Sequence, residues 1–268
     1  MKYRLLVADI DGTLLTSDRE IPVGVLAAVR AAQARGVRVC LATGRMWRSA
    51  EPYFRALGAD PPAILYNGGM VYDFRADAVL RRVPLARDHA RAVLDMLKAF
   101  PQVQPHLYVG DRVYVGRLNE LSERYRRKDN LSVEEVGDLV AFLPPEPMKI
   151  LIIGARPDLE AVVKAIASLP FPINYVFSEQ TYLEILPAGS SKGVALEFVS
   201  RVLQVPPEAI IAAGDNLNDL EMIRFAGLGV AMGNSPEVLR AQADYVTTTN
   251  DEGGFAEVIR RFVLEEGR

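Results

Sequence analysis

The sequence has very little cysteine and very little histidine. One Cys stands among 268 residues, so no disulfide can form within the chain and no multi-cysteine metal site is possible. Cys40 lies inside the apolar run VRVCLAT and is expected to be a buried core thiol. Only two His are present, His89 and His106, which excludes a multi-histidine zinc site and disfavours a Ser-His-Asp triad. Both are expected to be ordinary. No apolar run reaches the ~18–20 residues that would cross a bilayer. Asp9 and Asp11 fall where a signal peptide would need its apolar stretch, so a cytoplasmic location is expected. A formal net charge of -3 argues against non-specific nucleic-acid binding. Scattered Arg, at 25 against 6 Lys, is not read as a phosphate-binding surface. The cluster Arg124, Arg126, Arg127 and Lys128 is read as a solvated helix face.

Half of the residues are hydrophobic, enough for a real core, and the length suits one large or two modest domains. The first third alternates apolar runs with helical periodicity. RLLVAD (4–9) ends in an acid. Val25, Leu26, Val29 and Ala32 share a helix face between Pro22 and Gly36. VRVCLAT (37–43) and AILYN (63–67) read as further strands, with a helix over 46–57 between them and a turn at Gly68-Gly69. The last third alternates in the same way. It holds a helix at 191–203, the run AIIAAGD (209–215), a helix from about 217 and the strand GLGVAM. Ser235 then reads as an N-cap before Pro236 and Glu237, followed by the strand YVTT and a helix over 253–265. Continuous apolar strands alternating with helices predict a doubly wound, mostly parallel, Rossmann-like sheet of the α/β class.

The middle differs. VQPHLYV, DRVYVGR, MKILIIG, INYVFS and TYLEIL alternate in character, as strands with one wet face do. Helices are predicted at 88–99, 157–169 and 118–128. The expected organisation is a core made of 1–82 and 186–268, with an α+β domain inserted at 83–185.

Ligands of an open parallel sheet bind at the carboxyl ends of its strands. Four segments there carry groups suited to phosphate and metal chemistry: Asp9-Ile10-Asp11-Gly12-Thr13, Ala42-Thr43-Gly44-Arg45, Ser190-Ser191-Lys192-Gly193 and Gly214-Asp215-Asn216-Leu217-Asn218-Asp219. Any one could be a loop turn or a capped helix start. The four together point to phosphoryl transfer.

These four segments, in this order, resemble the motifs of the haloacid dehalogenase-like hydrolase superfamily. Tyr66-Asn67-Gly68-Gly69 and the position of the insertion resemble the Cof-type phosphatases with a type-IIB cap. The resemblance implies a magnesium-dependent phosphatase acting on small phosphorylated metabolites, sugar phosphates above all, through an aspartyl-phosphate. Asp9 would be the nucleophile and Asp11 the general acid and base. Mg²⁺ would be held by Asp9, Asp215, the Asp11 backbone carbonyl, and Asp219 directly or through water. Thr43, Gly44 and Asn218 would bind phosphate, Lys192 would neutralise Asp9 and the transferring group, and Arg45 and Asn67 would line the site. The loop from Asp11 to Glu20 would act as a flap, and polar cap residues such as Tyr108, Arg112 and Tyr114 would rank substrates. The implied partner is a small phosphorylated molecule, with no nucleic acid and no membrane. A phosphomutase of the same superfamily shares the first chemical step. A receiver-type signalling domain is disfavoured, because it carries its acidic pair as neighbours and spans a single domain length.

Overall fold

The structure is a computed structural model that describes residues 2–129 and 131–265, the side chains of Lys128 and Asp129 excepted. Along the chain come β1 (Leu5–Ala8), α1 (Val23–Ala34), β2 (Arg38–Leu41), α2 (Trp47–Leu57), β3 (Ala63–Leu65), β4 (Met70–Asp73) and β5 (Ala78–Arg82). The middle of the chain supplies α3 (Arg87–Leu97), β6 (Gln104–Val109), β7 (Arg112–Val115), α4 (Glu120–Asp129), β8 (Val133–Glu135), α5 (Leu139–Phe142), β9 (Lys149–Ile153), α6 (Arg156–Ile166), β10 (Asn174–Glu179) and β11 (Tyr182–Leu186). The rest holds α7 (Lys192–Leu203), β12 (Ile210–Gly214), α8 (Leu220–Phe225), β13 (Leu228–Ala231), α9 (Glu237–Arg240), β14 (Tyr245–Val246) and α10 (Gly254–Ile259). Two compact units result: Met1–Arg45 with Ala50–Arg81 and Ser191–Arg268, and Met46–Ser49 with Arg82–Ser190.

The first unit is built on a parallel sheet of order β14-β13-β12-β1-β2. Every residue of β1 and β12 is buried, as a central parallel strand covered on both faces requires. Leu5, Val7, Cys40, Ile210 and Ala212 pack against Ala195, Leu196 and Val199 of α7. Each such Leu, Ile or Val side chain contributes about 1.5–3 kcal/mol on burial. The fold is thus the mixed α/β type with a parallel central sheet that the apolar runs predict. The Cys40 thiol is a buried part of this core, and burial pushes its pKa well up.

The third apolar run departs from expectation. Ala42 and Ile64 make a single parallel bridge, but β3 otherwise pairs antiparallel with β4 in a separate sheet of order β3-β4-β5. The cause is three consecutive left-handed residues, Tyr66 (φ 52°), Asn67 (φ 52°) and Gly68 (φ 94°), which turn the chain back on itself. At α9 the helix begins one residue later than its sequence signature suggests. Pro236 is its N-cap, and Ser235 makes no capping hydrogen bond to it.

The second unit is a six-stranded sheet of order β10-β11-β9-β6-β7-β8, antiparallel except where β7 meets β8. One face presents Leu107, Ile150, Ile152, Leu183 and Ile185 to Val93 and Leu97 of α3 and Leu159 and Val162 of α6. His106, Tyr108, Lys149 and Glu184 belong to the opposite face and are all buried there. Tyr125 of α4 sets its ring edge-on against His106 at 5.3 Å and its hydroxyl against that of Tyr108. His89 stacks on Phe171 at 3.8 Å. On α4, Arg124 and Arg126 pair with Glu120 and Glu123, which is the solvated helix face expected; the side chain of Lys128 lies outside the described residues. Among the described residues no helix is long and apolar enough to cross a membrane.

Candidate active site

Asp9 stands one residue beyond β1, its backbone N–H still bonded to the Ala213 carbonyl of β12. Beyond it residues 10–14 form one wide turn, closed by Leu15 N–H on the Ile10 carbonyl. Gly12 is left-handed at φ 76°, and a Cβ there would collide with the Asp215 carboxylate. The DxDG spacing is therefore a packing requirement as well as a chemical one.

Lys192 is the first residue of α7, whose N-cap Ser191 accepts the Val194 N–H. An ammonium at a helix N-terminus opposes the helix dipole, so it needs carboxylates to hold it. It has them. The Lys192 Nζ lies 2.9 Å from Asp9 Oδ1 and donates to Asp219 Oδ1 at 2.6 Å, with no exposed surface. Asp215 follows β12 and accepts from the Thr13 hydroxyl at 2.8 Å. Asp9, Asp215 and Asp219 each place a carboxylate oxygen within 4.8 Å of the others.

Burial and the neighbouring acids push Asp9 up to about 7, even against the pull of Lys192. The same two causes raise Asp215 well above the usual carboxylate range. Lys192 is held above the ordinary lysine value: burial opposes its charge, but Asp219 and Asp9 outweigh burial. Three carboxylates around one ammonium leave excess negative charge in a buried place. A divalent cation with oxygen ligands would relieve it, so the residues fit a metal. Asp219 is the least available of the three. Its Oδ1 is taken by Lys192, and its Oδ2 accepts the backbone N–H groups of Asp215 and Asn216 at 3.0 and 3.1 Å.

Asp11 is engaged differently. Arg45 grips both of its oxygens, Nε and Nη2 each at 2.6 Å, and Arg19 approaches to 3.5 Å. Partial burial favours the neutral acid, but the Arg45 fork outweighs it and holds the carboxyl below its ordinary value. Arg45 also lies over the Tyr53 ring at 4.9 Å.

The remaining predicted residues form a third group. Thr43 is buried and accepts the Arg45 N–H at 3.1 Å. Asn67, held in its left-handed turn, bonds its own N–H to the Thr43 carbonyl and accepts from Asn218 Nδ2 at 2.9 Å. Asn218 Oδ1 is buried without a partner. Gly44 stands three residues before α2 rather than in its first turn, and a Cβ there would fall 3.0 Å from Asn67 Nδ2. Tyr53 has no signal in the sequence; Thr13 belongs to the first motif, and Thr13 and Arg19 lie in the loop expected to act as a flap, with no individual role assigned to them.

A family model described as haloacid dehalogenase-like hydrolase matches residues 6–259. The chain belongs to the haloacid dehalogenase-like hydrolases. Among the relatives of this hydrolase, the 5-amino-6-(5-phospho-D-ribitylamino)uracil phosphatase YitU of Bacillus subtilis is 30% identical over 97% of this chain and 98% of its own. The pyridoxal phosphate phosphatase YbhA of Escherichia coli is 28% identical over 97% of this chain and 98% of its own. The crystal structure of a haloacid dehalogenase-like hydrolase from Bacteroides thetaiotaomicron superposes with a TM-score of 0.87 at 30% identity, covering 97% of this chain and 99% of the other. A subclass IIB sugar phosphatase, BT4131, shares the fold at a TM-score of 0.83 and 23% identity, over 97% and 98% of the two chains. This hydrolase is an enzyme, a phosphatase of that superfamily and of its Cof-type branch.

Proposed function

We propose that the hydrolase is a magnesium-dependent phosphomonoesterase of small phosphorylated metabolites, sugar phosphates among them, working through an aspartyl-phosphate. The observation that carries this reading is the buried, over-acidic cluster of Asp9, Asp215 and Asp219 on Lys192, beside the separately held Asp11. The relatives named for phosphoribityl and pyridoxal phosphate substrates support it, since both names describe phosphate esters of small molecules.

In this reading Asp9 attacks phosphorus, the ester P–O bond breaks, and Asp11 gives its proton to the departing alkoxide. Water then attacks the phosphorus and yields a proton to Asp11, which frees Asp9 and inorganic phosphate. Arg45 must release Asp11 for the proton to be carried. Lys192 pulls Asp9 toward its ionised form and stabilises charge on the transferring group. Thr43 keeps its hydroxyl hydrogen for a phosphoryl oxygen, Asn218 has a second amide hydrogen to offer, and Gly44 and Asn67 shape that side of the site. Asp9, Asp215 and the Asp11 carbonyl would hold Mg²⁺, with Asp219 acting through water or through its grip on Lys192. When bound, the ion would neutralise charge on the carboxylates and the phosphoryl oxygens.

The segment 83–185 is read as the cap that ranks substrates. Tyr114 leaves the set of candidates, because it packs into the helix-covered side of its sheet, 4.5 Å from Phe142. Arg112 is exposed and paired with Glu134 at 2.8 Å. The test is a screen of phosphorylated metabolites for phosphate release, run with EDTA and then with added Mg²⁺. Release should stop in EDTA and return with the metal. Full turnover in EDTA overturns the metal reading, and an isomeric sugar phosphate in place of inorganic phosphate overturns hydrolysis in favour of a mutase.

A further inference from the structure

The turn that carries Asp11 is held from outside by residues that the chemistry above does not use. Asn234, in the loop after β13, donates its Nδ2 to the Gly12 carbonyl at 2.9 Å. Its Oδ1 accepts the Asn250 N–H at 3.0 Å, which sets the orientation of the amide. Asn250, only 8% exposed, donates its own Nδ2 to the Leu15 carbonyl at 2.8 Å. Asp251 next to it accepts both the N–H and the hydroxyl of Ser17, each at 2.7 Å. Three side chains from two loops thus grip the turn at residues 12, 15 and 17. The closing bond from Leu15 N–H to the Ile10 carbonyl does not engage the Gly12 carbonyl, which accepts from Asn234 instead.

We infer that Asn234, braced by Asn250, is a positioning residue: it fixes the backbone between Asp11 and Thr13 so that the Asp11 carboxyl meets the leaving-group oxygen while Gly12 stays seated against Asp215. The inference rests on the reading of Asp11 as proton donor. Asn234 touches neither the acids nor Lys192, so it acts only through the turn. Its side chain is exposed, so its removal leaves no cavity. Without it the turn keeps its sequence and its Gly12 conformation but loses the anchor nearest Asp11. A donor displaced by a fraction of an ångström loses rate where protonation matters and keeps it where protonation does not.

The experiment compares two aryl phosphates of similar size, phenyl phosphate and p-nitrophenyl phosphate, on the full-length protein with Mg²⁺. Nitrophenolate departs without a proton; phenolate is much more basic and needs one. The readout is kcat/KM, which reports the steps up to release of the alcohol. Asn234→Ala should lower kcat/KM for phenyl phosphate on the order of tenfold, and for p-nitrophenyl phosphate less than about threefold. Asn234→Asp keeps the shape and the acceptor for Asn250 but loses the donor to Gly12, so it should show the same imbalance. Asn234→Gln restores an amide donor and should recover part of the loss. Equal losses on the two substrates, or none, in both Asn234→Ala and Asn234→Asp overturn the inference. Asp11→Asn separates the two levels. If it too shows no preference for the good leaving group, the proton-donor reading falls and this inference with it. If it shows a strong preference and the Asn234 variants show none, the donor reading stands and the positioning role alone is wrong.

Discussion

Lys192 and Lys149 are both buried ammonium groups bonded to carboxylates, one in each unit, and they are built by different means. Lys149 of β9 reaches Glu184 of β11 at 2.8 Å and lies over the ring of Tyr108, its direct cross-strand partner on β6, at 4.6 Å. Sheet register brings these three together on one face. Lys192 gathers acids from two strand ends, Asp9 after β1 and Asp219 beyond β12, with Asp215 in the same cluster. There the charges do not balance, and burial pushes Asp9 and Asp215 up. A pair made by register serves the fold. A cluster left with excess charge holds free energy that, in the function proposed above, a cation and a phosphoryl group would release on binding.

Four variants test that contrast. Asp9→Asn has the largest expected effect. It removes the proposed nucleophile and should lower turnover by ~10⁴ or more, measured as phosphate release. Because it also removes one of the crowded acids, its thermal midpoint without metal should not fall. A lower midpoint would show that the cluster is structural, like its counterpart.

Lys149→Met should do the reverse. It removes the buried ammonium that donates to buried Glu184 and should cost about 3–5 kcal/mol in denaturant unfolding. Turnover of p-nitrophenyl phosphate per folded molecule should stay within about twofold, because the reacting groups assigned here all lie in the first unit. Lys149→Met with Glu184→Leu should recover most of the stability, since both charges go together. A double variant as unstable as the single one would mean that the pair does more than neutralise itself.

The smallest effect concerns His106, on the same sheet face as Lys149. It is fully buried, its Nδ1 faces the Gln104 carbonyl at 3.1 Å, and its Nε2 has no partner. Burial lowers its pKa from 6.5 to about 4, against the opposing pull of that carbonyl. Between those values the unfolded chain takes up a proton that the folded chain refuses. Stability is therefore full above about 6.5 and falls as pH drops toward about 4, by about 3 kcal/mol for this one group. His106→Phe should flatten the dependence of unfolding free energy on pH across that window. An unchanged slope would place the titrating group elsewhere.

Much of the site was legible from the chain because motif and strand end coincide. Continuous apolar runs ending in Asp9, Thr43 and Asp215 identify both the buried strands and the edge where their polar ends gather. Ser191 marks the start of α7 by its capping chemistry and so places Lys192. These are local facts: periodicity, capping and turn preference act within a few residues.

Other features depended on contacts far along the chain. The alternation of β6 and β7 shows that Tyr108 and Tyr114 can lie on different faces, but not which face the helices cover; the packing of α3 and α6 decided that. AILYN reads as one more parallel strand, and only the left-handed turn at Tyr66 and Asn67 diverts it into a hairpin. Nothing local marks Asn234 or Asn250, polar residues in loops without periodicity. Their partners lie 222 and 235 residues away. The chain alone marked the central parallel strands, their acidic ends and the resemblance to the family. The sheet order β14-β13-β12-β1-β2 brought the loops after β13 and β14 within reach of the turn after β1, because hydrogen bonds join groups that are near in space whatever their distance in sequence.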